Sequence, residues 1–272
     1  MVRARLLLLC ACGAWFATAS PARAGVISSF DSAGDVVTSP TRAPGTWYTD
    51  RYAPAGFASG QSGGGRTGVL QQSISSADSA ANRPGAFGSA FYNTQGRAYD
   101  LAPGATGLGI ELFVSQDWAG LNQNVAGAEG RLASLWGTGV DGSNTVSAYP
   151  IIEFNNQTGG FRVWNGTGWD NVGGFSGYGK WYDLGIELAG GNFNYYVNGS
   201  LVGSTSADGS VGLSSVILQG YNAGNSYDAY WDNARDAALA PVSAVPEPAT
   251  LAVFGGLGLA AVGYRVRRNR SA

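Results

Sequence analysis

Four glutamates, Glu111, Glu129, Glu153 and Glu187, are all that the stretch from residue 25 to 244 offers of that residue type, and they are scattered. Cleaving a glycosidic bond with retention needs two carboxyl groups about 5 to 5.5 Å apart. Such a pair would have to be drawn from separate strands, for instance Glu111 with Glu153 or Glu187. The sequence contains no histidine at all. That absence removes Ser-His-Asp and Cys-His nucleophilic catalysis, zinc sites built on imidazole, and the commonest general base near neutral pH.

Binding chemistry is better supplied. Seven tryptophans follow residue 24, and sugar rings present apolar C–H faces that stack on indoles. Trp164, Trp169 and Trp181 are the candidate glycan-binding residues. The first two flank the turn Asn165-Gly166-Thr167-Gly168, and the third stands opposite the apolar side of its strand. The alternative is that these rings fill a core. Asp228, Asp232, Asn222 and Asn233 carry the hard oxygen atoms that calcium prefers. Their spacing matches no regular calcium loop, and Asp or Asn in a turn commonly satisfies its own backbone. No other cofactor or metal is implied.

The elements that must position these residues are strands. Leu108, Ile110, Leu112 and Val114 fall on one face with Gly109, Glu111 and Phe113 on the other. Tyr182, Leu184, Ile186 and Leu188 repeat the pattern against Trp181, Asp183 and Glu187. Similar short segments run over Val26 to Phe30, Val69 to Ile74, Ala90 to Tyr92, Leu132 to Trp136, Pro150 to Phe154 and Phe161 to Trp164. They continue over Phe193 to Val197, Leu201 to Thr205, Val216 to Tyr221 and Tyr227 to Asp232. Short strands parted by Gly, Asn and Asp predict an all-β antiparallel two-sheet sandwich. Asn198-Gly199 supplies the two positive φ values of a tight type I′ hairpin turn. Val36 to Gly68, rich in Gly, Pro and Ser, predicts long surface loops.

Both ends of the chain read as addresses. Arg3 and Arg5 precede Leu6 to Leu9 and an apolar stretch to Ala17, then Ala22-Arg23-Ala24 comes before Gly25. These are the parts of a secretory signal peptide over residues 1–24, with a signal-peptidase site at Ala22 and Ala24. A lipoprotein reading would require Cys10 or Cys12 as the modified residue, but Leu9 rather than a small residue precedes Cys10. Both cysteines leave with the leader, so the mature chain has neither thiol nor disulfide.

At the other end stand Val245, Pro246, Glu247 and Pro248, an uncharged run with a membrane segment over 250–264, and Arg265, Arg267, Arg268 and Arg270. The run is shorter than the ~20 residues of a permanent span, which suits a provisional anchor in the inner membrane with its arginines on the cytoplasmic side. The order of these three parts resembles the PEP-CTERM sorting signal of Gram-negative bacteria. That resemblance implies an exosortase-like membrane transpeptidase as partner, and a role at the cell surface or in the extracellular polysaccharide matrix or biofilm. A plain tail anchor is the competing reading.

Between the ends, over residues 25–235, lies one body, joined by a linker at 236–244. Without the tails 9 basic residues face 17 acidic ones, a net charge of −8, which excludes nucleic acid as a natural partner. The runs Phe193 to Val202, Val216 to Asn222 and Tyr230-Trp231-Asp232-Asn233 resemble the closing strands of concanavalin A-like domains. This resemblance implies a jelly-roll sandwich and contact with carbohydrate. Glucanases of that superfamily carry Glu-x-Asp-x-Glu or Glu-x-Asp-x-x-Glu on one strand, and its lyases typically use histidine. Neither is present here. The expectation is an exported protein whose body binds glycan or matrix without cutting it. A hydrolase or lyase with dispersed carboxylates and a purely structural coat protein are the alternatives.

Overall fold

The computed structural model describes residues 25–78 and 85–237. The expected leader, most of the linker, and the sorting signal with its apolar segment lie outside the described residues. Among those described, no helix is long and apolar enough to cross a membrane.

The described chain is an all-β sandwich of two sheets. In chain order the strands are β1 Val26–Ser28, β2 Thr38–Ser39, β3 Trp47–Asp50, β4 Gly56–Gly63, β5 Arg66–Ile74 and β6 Thr94–Asp100. There follow β7 Gly107–Val114, β8 Arg131–Val140, β9 Val146–Ala148, β10 Ile151–Asn155, β11 Gly160–Trp164 and β12 Trp169–Val172. The last five are β13 Lys180–Ala189, β14 Asn192–Val197, β15 Ser200–Ser206, β16 Gly212–Tyr221 and β17 Tyr227–Arg235. Sheet A runs β15-β14-β13-β7-β17-β5-β4 with β1 beside β17, and sheet B runs β12-β11-β10-β8-β16-β6-β3-β2 with β9 beside β8. Pairing is antiparallel apart from the short β2–β3 contact.

The alternation read from β7 and β13 decides which side meets sheet B. Leu108, Ile110, Leu112, Leu184 and Ile186 are fully buried in the main core, while Glu111, Phe113, Trp181 and Asp183 face outward on neighbouring strands. Fully burying one such aliphatic side chain is worth about 1.5–3 kcal/mol, so slipping either strand by one residue would exchange its buried and outward sets. The β14–β15 hairpin turns at Asn198 (φ 50°) and Gly199 (φ 73°), the two positive values that its sequence predicts.

Two expectations are corrected. Val36 to Gly68 is not simply surface loop: it contains β2, β3, all of β4 and the start of β5, and Trp47 within it is 1% exposed. Gly- and Ser-rich β4 has no apolar alternation of its own; its place is set by pairing with β5. Ala90–Tyr92 is a 3₁₀ turn, not a strand, and its rings cover sheet B instead of joining it.

One polar link crosses the core. Trp231 donates its indole N–H to Gln72 Oε1 at 2.9 Å, and Gln72 Nε2 donates to the Gln95 carbonyl at 2.8 Å. Trp231 and Gln72 are both fully buried. Trp231→Phe should therefore leave a dry amide oxygen unpaired and lower the unfolding free energy by about 1–3 kcal/mol, read by guanidinium denaturation.

Candidate functional site

Each sheet has an outward face, and the two differ. On sheet B, Glu153 of β10 is 1% exposed. It accepts from Arg131 Nε of β8 at 3.1 Å and Arg162 Nε of β11 at 2.7 Å. Trp169 lies over both guanidiniums, 5.3 and 4.4 Å from its ring centre. Phe91 closes the assembly, 5.3 Å from the ring of Trp164 and 6.4 Å from that of Trp169. Its carbonyl takes a hydrogen bond from Arg131 Nη1 at 2.9 Å, and the Ala90 carbonyl takes one from the Tyr221 hydroxyl at 2.8 Å. This half of the face is plugged.

The other half is open. A hollow of about 180 Å³ is lined by Ala98, Thr138, Ser215 and Ile217 from three adjacent strands, with Tyr48 and Tyr149 at its sides. It shares Arg42, Val140, Asn144 and Ser214 with a hollow of about 480 Å³ among the turns that follow β6 and β8 and precede β16. Through Tyr149 it adjoins a third hollow, of about 230 Å³, beside Trp164, Asn165 and Asp208. Tyr149 is 45% exposed. Asp100 orients the centre of this groove: one oxygen accepts from the Tyr48 hydroxyl and the other from Arg42 Nε, both at 2.8 Å. Burial first, and the Asp100 carboxylate second, push the Tyr48 hydroxyl well above its ordinary pKa. Hydroxyls, an amide and aromatic walls in shallow adjoining hollows suit stacking and hydrogen bonding to sugar rings.

On sheet A the outward face carries a charged row. Asp183, Glu111 and Asp232 are direct cross-strand neighbours on β13, β7 and β17. Arg66 Nη1 bridges Glu111 at 2.6 Å and Asp232 at 2.7 Å, Asn233 donates to Glu111 at 2.7 Å, and Arg235 Nη2 holds Asp183 at 2.6 Å. Lost hydration would raise the Glu111 carboxyl, but its bonds to Arg66 and Asn233 outweigh that and hold it below the usual range. Burial holds Asp232 and Asp183 above theirs despite their arginines, and the neighbouring Glu111 charge adds to the shift. Carboxyls with pKa values pushed apart are the pattern of a general acid and base. Here the Arg66 guanidinium spans the gap between Glu111 and Asp232, where a substrate oxygen would have to sit.

Trp181 belongs to this second face. Its indole donates to the Gly64 carbonyl at 2.8 Å and Arg66 covers it at 4.2 Å from the ring centre. Gly64 has φ +59°, and a Cβ there would come within 2.7 Å of Phe113 and 2.8 Å of Trp181, so only glycine lets the β4–β5 turn lie down on these rings.

The sequence-predicted residues are thus divided. Trp164 and Trp169 are paired across β11 and β12 with ring centres 5.3 Å apart, but only Trp164 lines the groove. Trp181 is on the far side of the sandwich. Glu111 and Glu153 likewise lie on opposite outer faces and cannot flank one bond. Glu187 shares the Glu111 face but sits four residue pairs along the ladder, about 13 Å away, and accepts from the Tyr196 hydroxyl at 2.8 Å. The calcium candidates are separated too. Asp232 is committed to Arg66, Asp228 accepts from Ser73 at 2.6 Å, and Asn222 donates to the carbonyls of Ser75 and Asp78. Among the described residues no group of three or more His, Cys, Asp or Glu could hold a metal ion. Tyr48, Tyr149 and Arg42 were not anticipated, because only the strand order brings the three to one hollow, and of them only Tyr149 also lines the hollow beside Trp164.

Residues 244–268 match the family model described as the PEP-CTERM protein-sorting motif. The chain carries a C-terminal sorting signal. The motif marks an exported surface protein processed by an exosortase. No curated protein matches the chain. Among solved structures, the sandwich is similar to a Bacillus licheniformis beta-glucanase at 10% identity and TM-score 0.44, covering 79% of this chain and 98% of that one. It is also similar to a GlcNAc[alpha]1-4Gal releasing endo-[beta]-galactosidase from Clostridium perfringens at 14% identity and TM-score 0.47, covering 76% and 60%. A tetrameric galectin from the ball sponge Cinachyrella sp. matches at 15% identity and TM-score 0.34, covering 51% and 96%. A sialidase matches at 15% identity and TM-score 0.43 over 70% of this chain, which spans only 16% of the sialidase.

Two outcomes test the charged clusters. Glu153→Gln removes the shared partner of two buried guanidiniums and should cost about 3–5 kcal/mol of stability in denaturant titration. Arg66→Met removes the cation that depresses Glu111. A carboxyl with a depressed folded pKa stabilises above its unfolded pKa and loses that contribution as pH falls through the folded value. The variant should therefore lose about 1–2 kcal/mol at pH 7, a figure reduced for the solvent contact of Arg66, and much less near pH 3, as followed by thermal melts across that range.

Proposed function

We propose that this protein is a noncatalytic glycan-binding component of the cell surface or extracellular matrix of a Gram-negative bacterium. In this reading the leader takes it through the secretion channel, and residues 250–264 hold it briefly in the inner membrane with Arg265, Arg267, Arg268 and Arg270 in the cytoplasm. An exosortase-like transpeptidase then acts at Pro246-Glu247-Pro248. The ligand is a secreted polysaccharide of the biofilm or exopolysaccharide matrix.

The observation that carries the binding half is the hollow on the open half of sheet B, walled by Tyr48 and Tyr149 and lined by the hydroxyls of Thr138, Ser214 and Ser215, with a further hollow beside Tyr149 and Trp164 at its edge. The observation that weighs against catalysis is that Glu153 is enclosed by two arginines while Glu111 and Asp232 share a third.

Tyr149→Ala and Trp164→Ala should each weaken retention of the exported protein on its own secreted polysaccharide several-fold, read by co-sedimentation, while Trp181→Ala leaves retention unchanged. Retention indifferent to all three variants would leave a structural coat role. Release of reducing ends that disappears in Glu111→Gln would establish a hydrolase instead.

A further inference from the structure

Residue 25 is the first after the predicted leader, and the fold places it against residue 236, the first of the predicted linker. β1 runs beside the last residues of β17, with Val26 opposite Arg235 and Ser28 opposite Ala234. Beyond that ladder the two ends hold each other directly. Gly25 N donates to Asp236 Oδ1 at 2.5 Å, and Asp236 N donates back to the Gly25 carbonyl at 3.1 Å.

The Asp236 carboxylate is otherwise without a cation. Its neighbour Arg235 is turned to Asp183 on the sheet face, and no ion pair to Asp236 exists among the described residues. The glycine is also explained: a Cβ at position 25 would come within 2.6 Å of Asp236 Oδ2 and 2.9 Å of Oδ1, so any larger residue would push the carboxylate off. A site is thus shaped around one small backbone nitrogen.

We infer that Asp236 is the receptor for the new N-terminus: removal of the leader at Ala24-Gly25 converts an amide N–H into an α-ammonium that the Asp236 carboxylate captures. Hydrolysis of that peptide bond adds one water, leaves the Ala24 carboxylate on the released leader and puts the positive charge on Gly25. Before cleavage the contact is a neutral donor on a carboxylate. After it, the contact becomes a charge-assisted hydrogen bond, the stronger kind, and capture of an N-terminal amine by an acceptor set beside the backbone is a recurring recognition mode. The processed leader end and the start of the linker to the sorting signal are then clasped to one another at one corner of sheet A.

The sequence offers an internal standard for the test. Lys180 is its only lysine, so the exported, leader-free protein has two primary amines, Gly25 N and Lys180 Nζ. A captured ammonium holds its proton to higher pH. Its pKa should rise above the ordinary ~7.7–8.0 of a free α-amine, with the extra binding present below that range and lost as pH rises through the raised value.

Amine-selective labelling of the exported protein near pH 8, read by mass spectrometry with Lys180 as reference, should therefore run about twofold slower at Gly25 than in Asp236→Asn. A second variant, with an alanine inserted between Ala24 and Gly25 so that the mature chain starts one residue earlier, should label as fast as Asp236→Asn. It keeps Asp236 and the fold. Equal labelling rates in all three proteins, or a mature N-terminus other than Gly25, would overturn the inference without bearing on glycan binding.

Discussion

One carboxylate between two guanidiniums, sealed from water, sets the terms for sheet B. Arg131 and Arg162 converge on Glu153 from the two strands that flank it, and none of the three is more than 5% exposed. Bringing ions into so dry a place costs several kcal/mol each unless geometry returns it. Here the return comes from the paired hydrogen bonds and from the aromatic ring stacked over both cations. The cover that keeps the cluster dry is the turn bearing Phe91. Every residue of β8 is buried, a condition unusual for an antiparallel sheet, which commonly leaves one face wet.

That cover divides the molecule functionally. Where it lies, the sheet is finished and has nothing to offer a ligand. Where it stops, the same sheet presents hydroxyls between aromatic walls. The opposite face is closed in a different way, with the β4–β5 turn pressed onto Trp181 and a guanidinium placed between two carboxyls. Carboxylates are not lacking on this protein. Glu153, Glu111, Asp232 and Asp183 are each held by arginine.

The sandwich was largely legible in the sequence because β7 and β13 alternate strictly and Asn198-Gly199 marks its own turn. β4 was not, since a Gly- and Ser-rich strand has no period to read and takes its place only from its neighbour β5. Ala90 to Tyr92 has the composition of a strand but its backbone turns, and only the aromatic surroundings reveal why those rings are there. The tryptophans illustrate the limit most sharply: side-chain type identified them all, yet which face each occupies follows from strand order, so Trp164 and Trp181 end up on opposite sides. The row Asp183–Glu111–Asp232 depends on register across three strands and is invisible to any reading of one strand at a time.

The closeness of Gly25 and Asp236 bears on how the sandwich hangs in space. A body loaded through a linker that leaves at Asp236 takes that load at one corner, the one where Gly25 is also held. Stretching or rotating its tether pulls on that corner alone, and shears neither sheet against the other. Drag on the body would turn it about that corner without prying the sheets apart.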